Sequence, residues 1–311
     1  KELLSSLPYI LKVFVYIWAQ DPQGDDEITN KFNTQDRVVK ILDPVFESFS
    51  NELIYGFCAL IEEYRLRDKA NLTSVFSSIT AILNEMDSIS PSVIFHDCSL
   101  IVSSILKTKY SKTENSKTFL HEITVVDFAY QFLLKTNIQE AELSKGFGAL
   151  TTLLQEGMVS RSPNLYLLMI QLVHHFASKT TLPSDKRLRK EFVDTVYRLV
   201  DQCLKIAHDH STTISKWSHD KGSTHDEATV ARIKSLSLKT IFTLAEVVPS
   251  LYGAISDDKN RAIGNVVQTV FNYLRDRSEL NLSWAGVSAL FLLNVIENGY
   301  STKLFKREVL E

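Results

Sequence analysis

Four histidines, His208, His210, His219 and His225, crowd one polar stretch together with Asp209, Asp220 and Asp226. Imidazole and carboxylate are both zinc ligands, so a metal-dependent activity is the sharpest chemistry these residues allow. The spacing His-x-His-x8-His-x5-His fits neither a helical i, i+4 pair nor a finger. No cysteine joins the group, and Gly222 and Ser223 loosen it. The reading adopted is an exposed loop over 208–226 with no metal site, and the metal-dependent enzyme is kept as an alternative.

His121-Glu122 and His174-His175 carry the residue types of general acid–base work, but neither pair adjoins a nucleophile. No HExxH, GxSxG or phosphate-cradling glycine loop occurs. Gly146-Phe147-Gly148 lies inside an apolar helical pattern, where close helix packing accounts for it better than a nucleotide does. The expectation is therefore no catalytic residue, no cofactor and no small-molecule substrate.

Two features read as binding chemistry. Lys186, Arg187, Arg189 and Lys190 form a basic run at the start of a helix, where the helix dipole disfavours cations. An acidic partner or an anionic lipid surface would use such a run. A solvated helix face, partly neutralised by Asp185 and Glu191, is the plain alternative. Trp217, isolated among polar residues, is the second feature, either an anchor for a partner or a pin for its own loop. Trp18 and Trp284 lie on apolar helical stripes and are read as core.

The elements that must position these residues are helices. Apolar residues recur at helical spacing from Leu3 to Leu310 with no convincing strand pattern. Ile10, Leu11, Phe14, Ile17 and Trp18 mark the first helix, with Pro8 near its start. Arg37 to Phe49 carries Val38, Ile41, Leu42, Val45 and Phe46 on one side, with a kink at Pro44, and Ser50-Asn51-Glu52 restarts the chain into another helix. Asn71 or Thr73, Ser90-Pro91, Pro163 and Ser184-Asp185 offer helix starts, and Pro249 offers a stop. The lysine- and serine-rich stretch 108–117 reads as an exposed loop.

Roughly a dozen helices recur in pairs at the spacing of HEAT or armadillo repeats. The expected fold is an all-α solenoid of HEAT/armadillo-like helical pairs forming a single domain over 1–311. A compact helical bundle is the structural rival.

Bulk composition agrees. The 10 glycines and 7 prolines among 311 residues fall well below the usual usage of about 7% and 5%, which removes the turn-formers of sheet proteins. A net charge of -3 gives no global field for phosphates, so no nucleic-acid partner is expected. Cys58, Cys98 and Cys203 lie far apart among apolar neighbours, as in a reduced, cytosolic-facing protein. The triplets beginning at Asn71 and Asn281 would serve as glycosylation acceptors only in a secreted chain. The longest apolar run, Tyr9 to Ala19, is interrupted by Lys12 and falls short of the roughly 20 residues a bilayer span needs. Any membrane association is expected to be peripheral or through a partner. A start at Lys1 without methionine and an end at Glu311 inside a helical pattern read as a fragment of a longer protein.

The stretch Trp284-Ala-Gly-Val-Ser-Ala-Leu-Phe-Leu-Leu, followed by Tyr300-Ser-Thr-Lys-Leu-Phe-Lys-Arg-Glu-Val-Leu-Glu311, resembles the C-terminal region of the Dopey family of large eukaryotic trafficking proteins. Phe305 stands where that family's pattern leads one to expect tryptophan. The stretch from Arg37 to Ile54 is similar, less specifically, to the family's helical-repeat segments. The resemblance implies a C-terminal scaffold segment, cytoplasmic and peripheral on Golgi and endosome membranes. It also implies a Mon2-type helical-repeat partner and, through the complex, a P4-type lipid flippase. The family has no assigned catalytic residues to carry over. A cargo-binding transport adaptor or receptor of karyopherin or vesicle-coat type is the alternative function.

Overall fold

The computed structural model describes residues 2–19, 28–110, 120–219 and 227–255 together with Leu293, Asn294 and Glu297. Side chains are described within 6–19, 35–110 and 120–205, at 235, 239, 242–244 and 246–255, and at 293, 294 and 297. Among the described residues there are ten helices and no strand. The chain has the expected all-α, helical-repeat architecture. Where one continuous unit over 1–311 was expected, the chain divides into two compact units, Lys1–Arg161 and Ser162–Glu311. The helices expected after Ile255 lie outside the described residues.

The first unit begins with α1 (Glu2–Ala19) and α2 (Ile28–Arg67). Pro8 lies inside α1 instead of near its start. The two helices expected on either side of residues 50–52 are present as the two arms of α2, joined by a kink at Phe49, where φ is -141° and ψ is 44°. The kink expected at Pro44 therefore falls five residues later in the chain. At Gly56 α1 lies close against α2: a Cβ there would stand 2.7 Å from Leu11 Cδ1 and 3.1 Å from Leu7 Cδ2.

The next elements are α3 (Leu72–Asn84) and α4 (Pro91–Tyr110), followed by α5 (Glu122–Lys135), α6 (Glu140–Ser144) and α7 (Phe147–Met158). Ser90 caps α4, its hydroxyl accepting the Val93 N–H at 3.3 Å, and Pro91 takes the first helical position where no N–H is needed. Asn71 makes no such capping bond for α3, because its side chain donates to Asp68 Oδ2 at 2.7 Å. α4 runs on through Tyr110, so residues 108–110 of the expected loop are helical, and 111–117 lie outside the described residues. One helix expected from Glu140 to Gln155 is broken at Gly146, where a Cβ would meet Leu143 O at 3.1 Å and the Phe95 ring at 3.3 Å. Helix packing thus accounts for this glycine, as expected. α2 packs on α1, α3, α4 and α5, and α4 packs on α5, α6 and α7. Phe46, Phe57, Phe95, Phe128, Phe132 and Phe147 fill this core.

The second unit is described by α8 (Pro163–Lys179), α9 (Lys186–His219) and α10 (Glu227–Ile255), each packed on the other two. Phe176 and Phe192 lie 6.4 Å apart by ring centroids, and Tyr197 meets Tyr252 edge-on at 5.1 Å. Both pairs add to area burial the preference of aromatic rings for tilted contact.

Two sequence expectations are corrected here. Residues 208–219 of the expected 208–226 loop belong to α9, and 220–226 lie outside the described residues. No glycine or proline interrupts the chain before Gly222, so a helix already nucleated at Lys186 extends at little cost. Second, α10 passes through Pro249 to Ile255, where a stop was expected. Pro249 forfeits one backbone bond, but Val247, Val248, Leu251 and Tyr252 around it are buried and hold the helix in place.

Candidate interaction site

The basic run is built on the start of α9. Asp185 ends the preceding turn and caps the helix, its Oδ1 accepting the Arg187 N–H at 2.8 Å and the Leu188 N–H at 3.3 Å. The Asp185 carbonyl accepts the Arg189 N–H at 2.9 Å. That carboxylate sits where the dipole favours an anion and offsets the cost of the cations that follow. Lys186, Arg187 and Lys190 are exposed and Arg189 is half-buried. The inner side of the same helix holds Phe192, Val196, Leu199 and Val200 in the core, so the basic side chains project from a fixed element. The arrangement offers several N–H donors and positive charge to an acidic surface.

Trp217 does not join this cluster. It belongs to the same helix, and at roughly 1.5 Å of rise per residue it stands roughly 45 Å along the axis from Lys186. Its side chain, like those of His208, His210 and His219, lies outside the described residues, as do His225, Asn281 and Trp284. Trp18, expected in the core, is half-buried.

The remaining histidines are placed by packing. His121 is the exposed N-cap residue of α5, while Glu122 beside it is 6% exposed. Glu122 Oε1 accepts hydrogen bonds from Ser160 Oγ at 2.6 Å and Lys109 Nζ at 3.0 Å. Burial pushes its pKa up, but the Ser160 hydroxyl, its own N–H and the Lys109 ammonium together bring it below the usual glutamate value. It is a clasp between α4, α5 and the turn that follows α7, held ionised. His174 Nε2 lies 3.1 Å from Ser250 Oγ, joining α8 to α10, and burial lowers its pKa against the opposing charge of Glu246.

A second buried polar group joins α2 to α5. Arg65 donates to Thr124 Oγ1 at 2.9 Å and to Asp127 Oδ2 at 2.7 Å, and the Thr124 hydroxyl donates to Glu62. Glu62 is 2% exposed and Thr124 is wholly buried. Burial raises the Asp127 pKa and the Arg65 guanidinium opposes it. These groups satisfy one another across a helix interface, the usual requirement for buried polar atoms. Among the described residues no cluster of three or more His, Cys, Asp or Glu could hold a metal ion, and no helix is long and apolar enough to cross a membrane.

Sequence reasoning missed a set of exposed apolar side chains on α1 and α2: Tyr9, Ile10, Val13 and Tyr16, then Ile41, Val45 and Phe49. The signal was present as helices apolar on more than one side.

No family model matches the chain. No solved structure matches it either. Protein DOP1B of Mus musculus is 24% identical over 240 residues, which cover 68% of this chain and 10% of that protein. Protein DOP1B of Xenopus laevis is 20% identical over 313 residues, covering 88% of this chain and 14% of that protein. The chain thus corresponds to a small part of the curated relatives it matches. These alignments extend over most of the chain a likeness first carried by the residues from Trp284 onward, and the chain is related to the Dopey family.

Proposed function

We propose that this chain is a non-enzymatic scaffold segment in endosome-to-Golgi membrane trafficking, cytoplasmic and peripheral on those membranes. It binds a Mon2-type helical-repeat protein and is linked through that complex to a P4-type lipid flippase. The observation that carries the reading is the relation to two DOP1B proteins along most of the chain. The buried and half-buried ionisable groups lend support: Glu62, Glu122, Asp127 and His174 are each engaged in bonds between elements. The docking surface is the start of α9, where Lys186, Arg187 and Lys190, backed by Arg189, meet acidic side chains of the partner or an anionic membrane. Trp217, far along the same helix, serves as a separate anchor.

The test is affinity capture of the whole chain from a eukaryotic extract with mass-spectrometric identification, alongside a K186E/R187E/K190E variant. Recovery of a Mon2-like scaffold or a flippase, reduced in the variant and by salt, is the expected result. Recovery of diverse soluble cargo instead would overturn the scaffold reading in favour of a transport receptor. Unchanged capture by the variant in low salt would remove the basic run from the interface.

A further inference from the structure

The chain holds two Ser-Pro pairs, Ser90-Pro91 and Ser162-Pro163, and no Thr-Pro pair. Each serine precedes a helix, α4 or α8, but the two differ in what surrounds them. The Ser90 hydroxyl is engaged by the Val93 N–H at 3.3 Å, and Pro91 after it is buried. Ser162 makes no side-chain capping bond, and its hydroxyl has no hydrogen bond among the described residues. Ser162 and Pro163 are half-buried, and Arg161 and Asn164 on either side are exposed. The backbone at Ser162 is extended, with φ -87° and ψ 119°, the conformation that a following proline favours. The start of α8 also lacks a negative charge: its first turn has no acidic residue, and no Asp or Glu occurs between Glu156 and Asp185. Pro163 has no N–H to satisfy, but those of Asn164 and Leu165 lie too early in the helix for an intrahelical acceptor. The Tyr166 N–H is bonded to the Ser162 carbonyl at 3.1 Å.

We propose that Ser162 is a phosphorylation site for a proline-directed kinase, and that its phosphate caps α8. Such a kinase reads the proline ring after the acceptor, and the half-buried Pro163 offers that ring where the buried Pro91 withholds it. In the transfer, Ser162 Oγ attacks the γ-phosphorus of ATP held with Mg²⁺ in the kinase. The new Oγ–P bond replaces the bond from the γ-phosphorus to the bridging oxygen, ADP leaves, and the hydroxyl proton passes to the kinase's catalytic base. The phosphate carries a charge of about -1.5 to -2 at pH 7 and three strong acceptor oxygens. On Ser162 it stands at the positive end of the α8 dipole, with the Asn164 and Leu165 N–H groups as donors. Phosphorylation thus supplies the cap that the hydroxyl does not form. At Ser90 the hydroxyl already fills that role, so the fold selects one Ser-Pro pair over the other.

The experiment treats the whole folded chain with a mitogen-activated protein kinase and Mg-ATP, and locates phosphate by intact mass and peptide mapping. Incorporation is expected at Ser162, abolished in S162A and retained in S90A. In the phosphorylated chain, amide exchange at Asn164 and Leu165 should slow about threefold or more against the unmodified chain. S162A should unfold in urea at the wild-type midpoint, because the hydroxyl it removes holds nothing in place. A folded chain that takes phosphate at Ser90 as readily as at Ser162, or at neither, overturns the proposal. So does phosphate on Ser162 that leaves exchange at the start of α8 unchanged or faster. The site shares no residue with the basic run of α9, so failure here leaves the proposed function standing.

Discussion

Ser160 and Glu122, far apart in the chain, meet at 2.6 Å with the hydroxyl donating to a carboxylate that is almost wholly buried. Removing the hydroxyl leaves that oxygen with the Lys109 ammonium, which donates to it at 3.0 Å. Ser160→Ala is expected to cost about 1–3 kcal/mol, the range for depriving a buried charged acceptor of a partner. The pH dependence has a definite sign. Glu122 titrates below the usual glutamate value in the fold, so its contribution is present above the unfolded carboxylate pKa and is lost as pH falls through the folded one. In S160A the folded pKa rises, and acid destabilisation begins at higher pH. Urea denaturation curves at several pH values between neutrality and acid check both effects.

His174 loses stability in the same direction, for a different reason. Burial holds its pKa below the ordinary histidine value while Glu246 pulls it back, and its ring nitrogen lies 3.1 Å from Ser250 Oγ. In the unfolded chain the ring takes up its proton near pH 6.5, before the folded one does. Stability contributed by this group is therefore full at neutral pH and declines as pH falls below that value towards the folded pKa. H174Q, which keeps a polar group without the titration, is expected to flatten this part of the profile. Thermal midpoints across that window for the wild type and H174Q measure it, and identical slopes would dismiss the assignment.

Local signals were legible wherever a helix start is written in adjacent residues. Ser90-Pro91, Pro163 and Asp185 begin α4, α8 and α9 as their capping chemistry requires. Interior prolines misled, because Pro8, Pro44 and Pro249 are all carried inside helices that neighbouring packing sustains. The polar stretch after Ala207 also misled: polarity argued for a loop, but the absence of any breaker before Gly222 lets α9 continue. That continuation decided the candidate site. The basic run could be read from consecutive residues, whereas its distance from Trp217 follows only once the intervening segment is known to be helix. On α2 the sequence pattern puts five apolar residues on one side, yet Ile41 and Val45 turn outward while Val38, Leu42 and Phe46 turn in. A broad apolar arc carries no mark of how much of it neighbouring helices will cover.

Gly56 offers a test of the first unit's packing. Leu7 and Leu11 of α1 lie so close over it that an added Cβ would stand 2.7 Å from Leu11 Cδ1, inside the contact limit. Leu11 is itself wholly buried, so its side chain must be displaced against other core atoms. Gly56→Val is expected to destabilise the unit by about 1–3 kcal/mol through overpacking, in spite of the better helix propensity of valine. The loss should be concentrated in α1, which is anchored further by Lys12 donating to Glu63 at 3.2 Å. Hydrogen exchange should show faster exchange in α1 than in α4 of the variant. Uniform loss of protection would mean that α1 and the rest of the unit unfold together.

The three cysteines complete the account of the core. Cys58 and Cys98 are 0% exposed and Cys203 is 1% exposed. Burial pushes each thiol well above its ordinary pKa, and at Cys58 the neighbouring Cys98, Asp127 and Glu62 push it further against the pull of Arg65. Such thiols hold little thiolate and admit little reagent, so they behave as small apolar side chains. The native chain is expected to resist alkylation by iodoacetamide at neutral pH at all three positions, and to take up three labels once unfolded in guanidinium. Intact-mass spectrometry over a time course distinguishes the cases. Cys58 and Cys98 should become labelled in step with unfolding of the first unit and Cys203 with the second, since the two units have separate cores. Rapid labelling of Cys203 in the native chain would instead show that α9 opens from α8 and α10 on the time scale of the reagent, exposing the surface beneath the proposed docking helix.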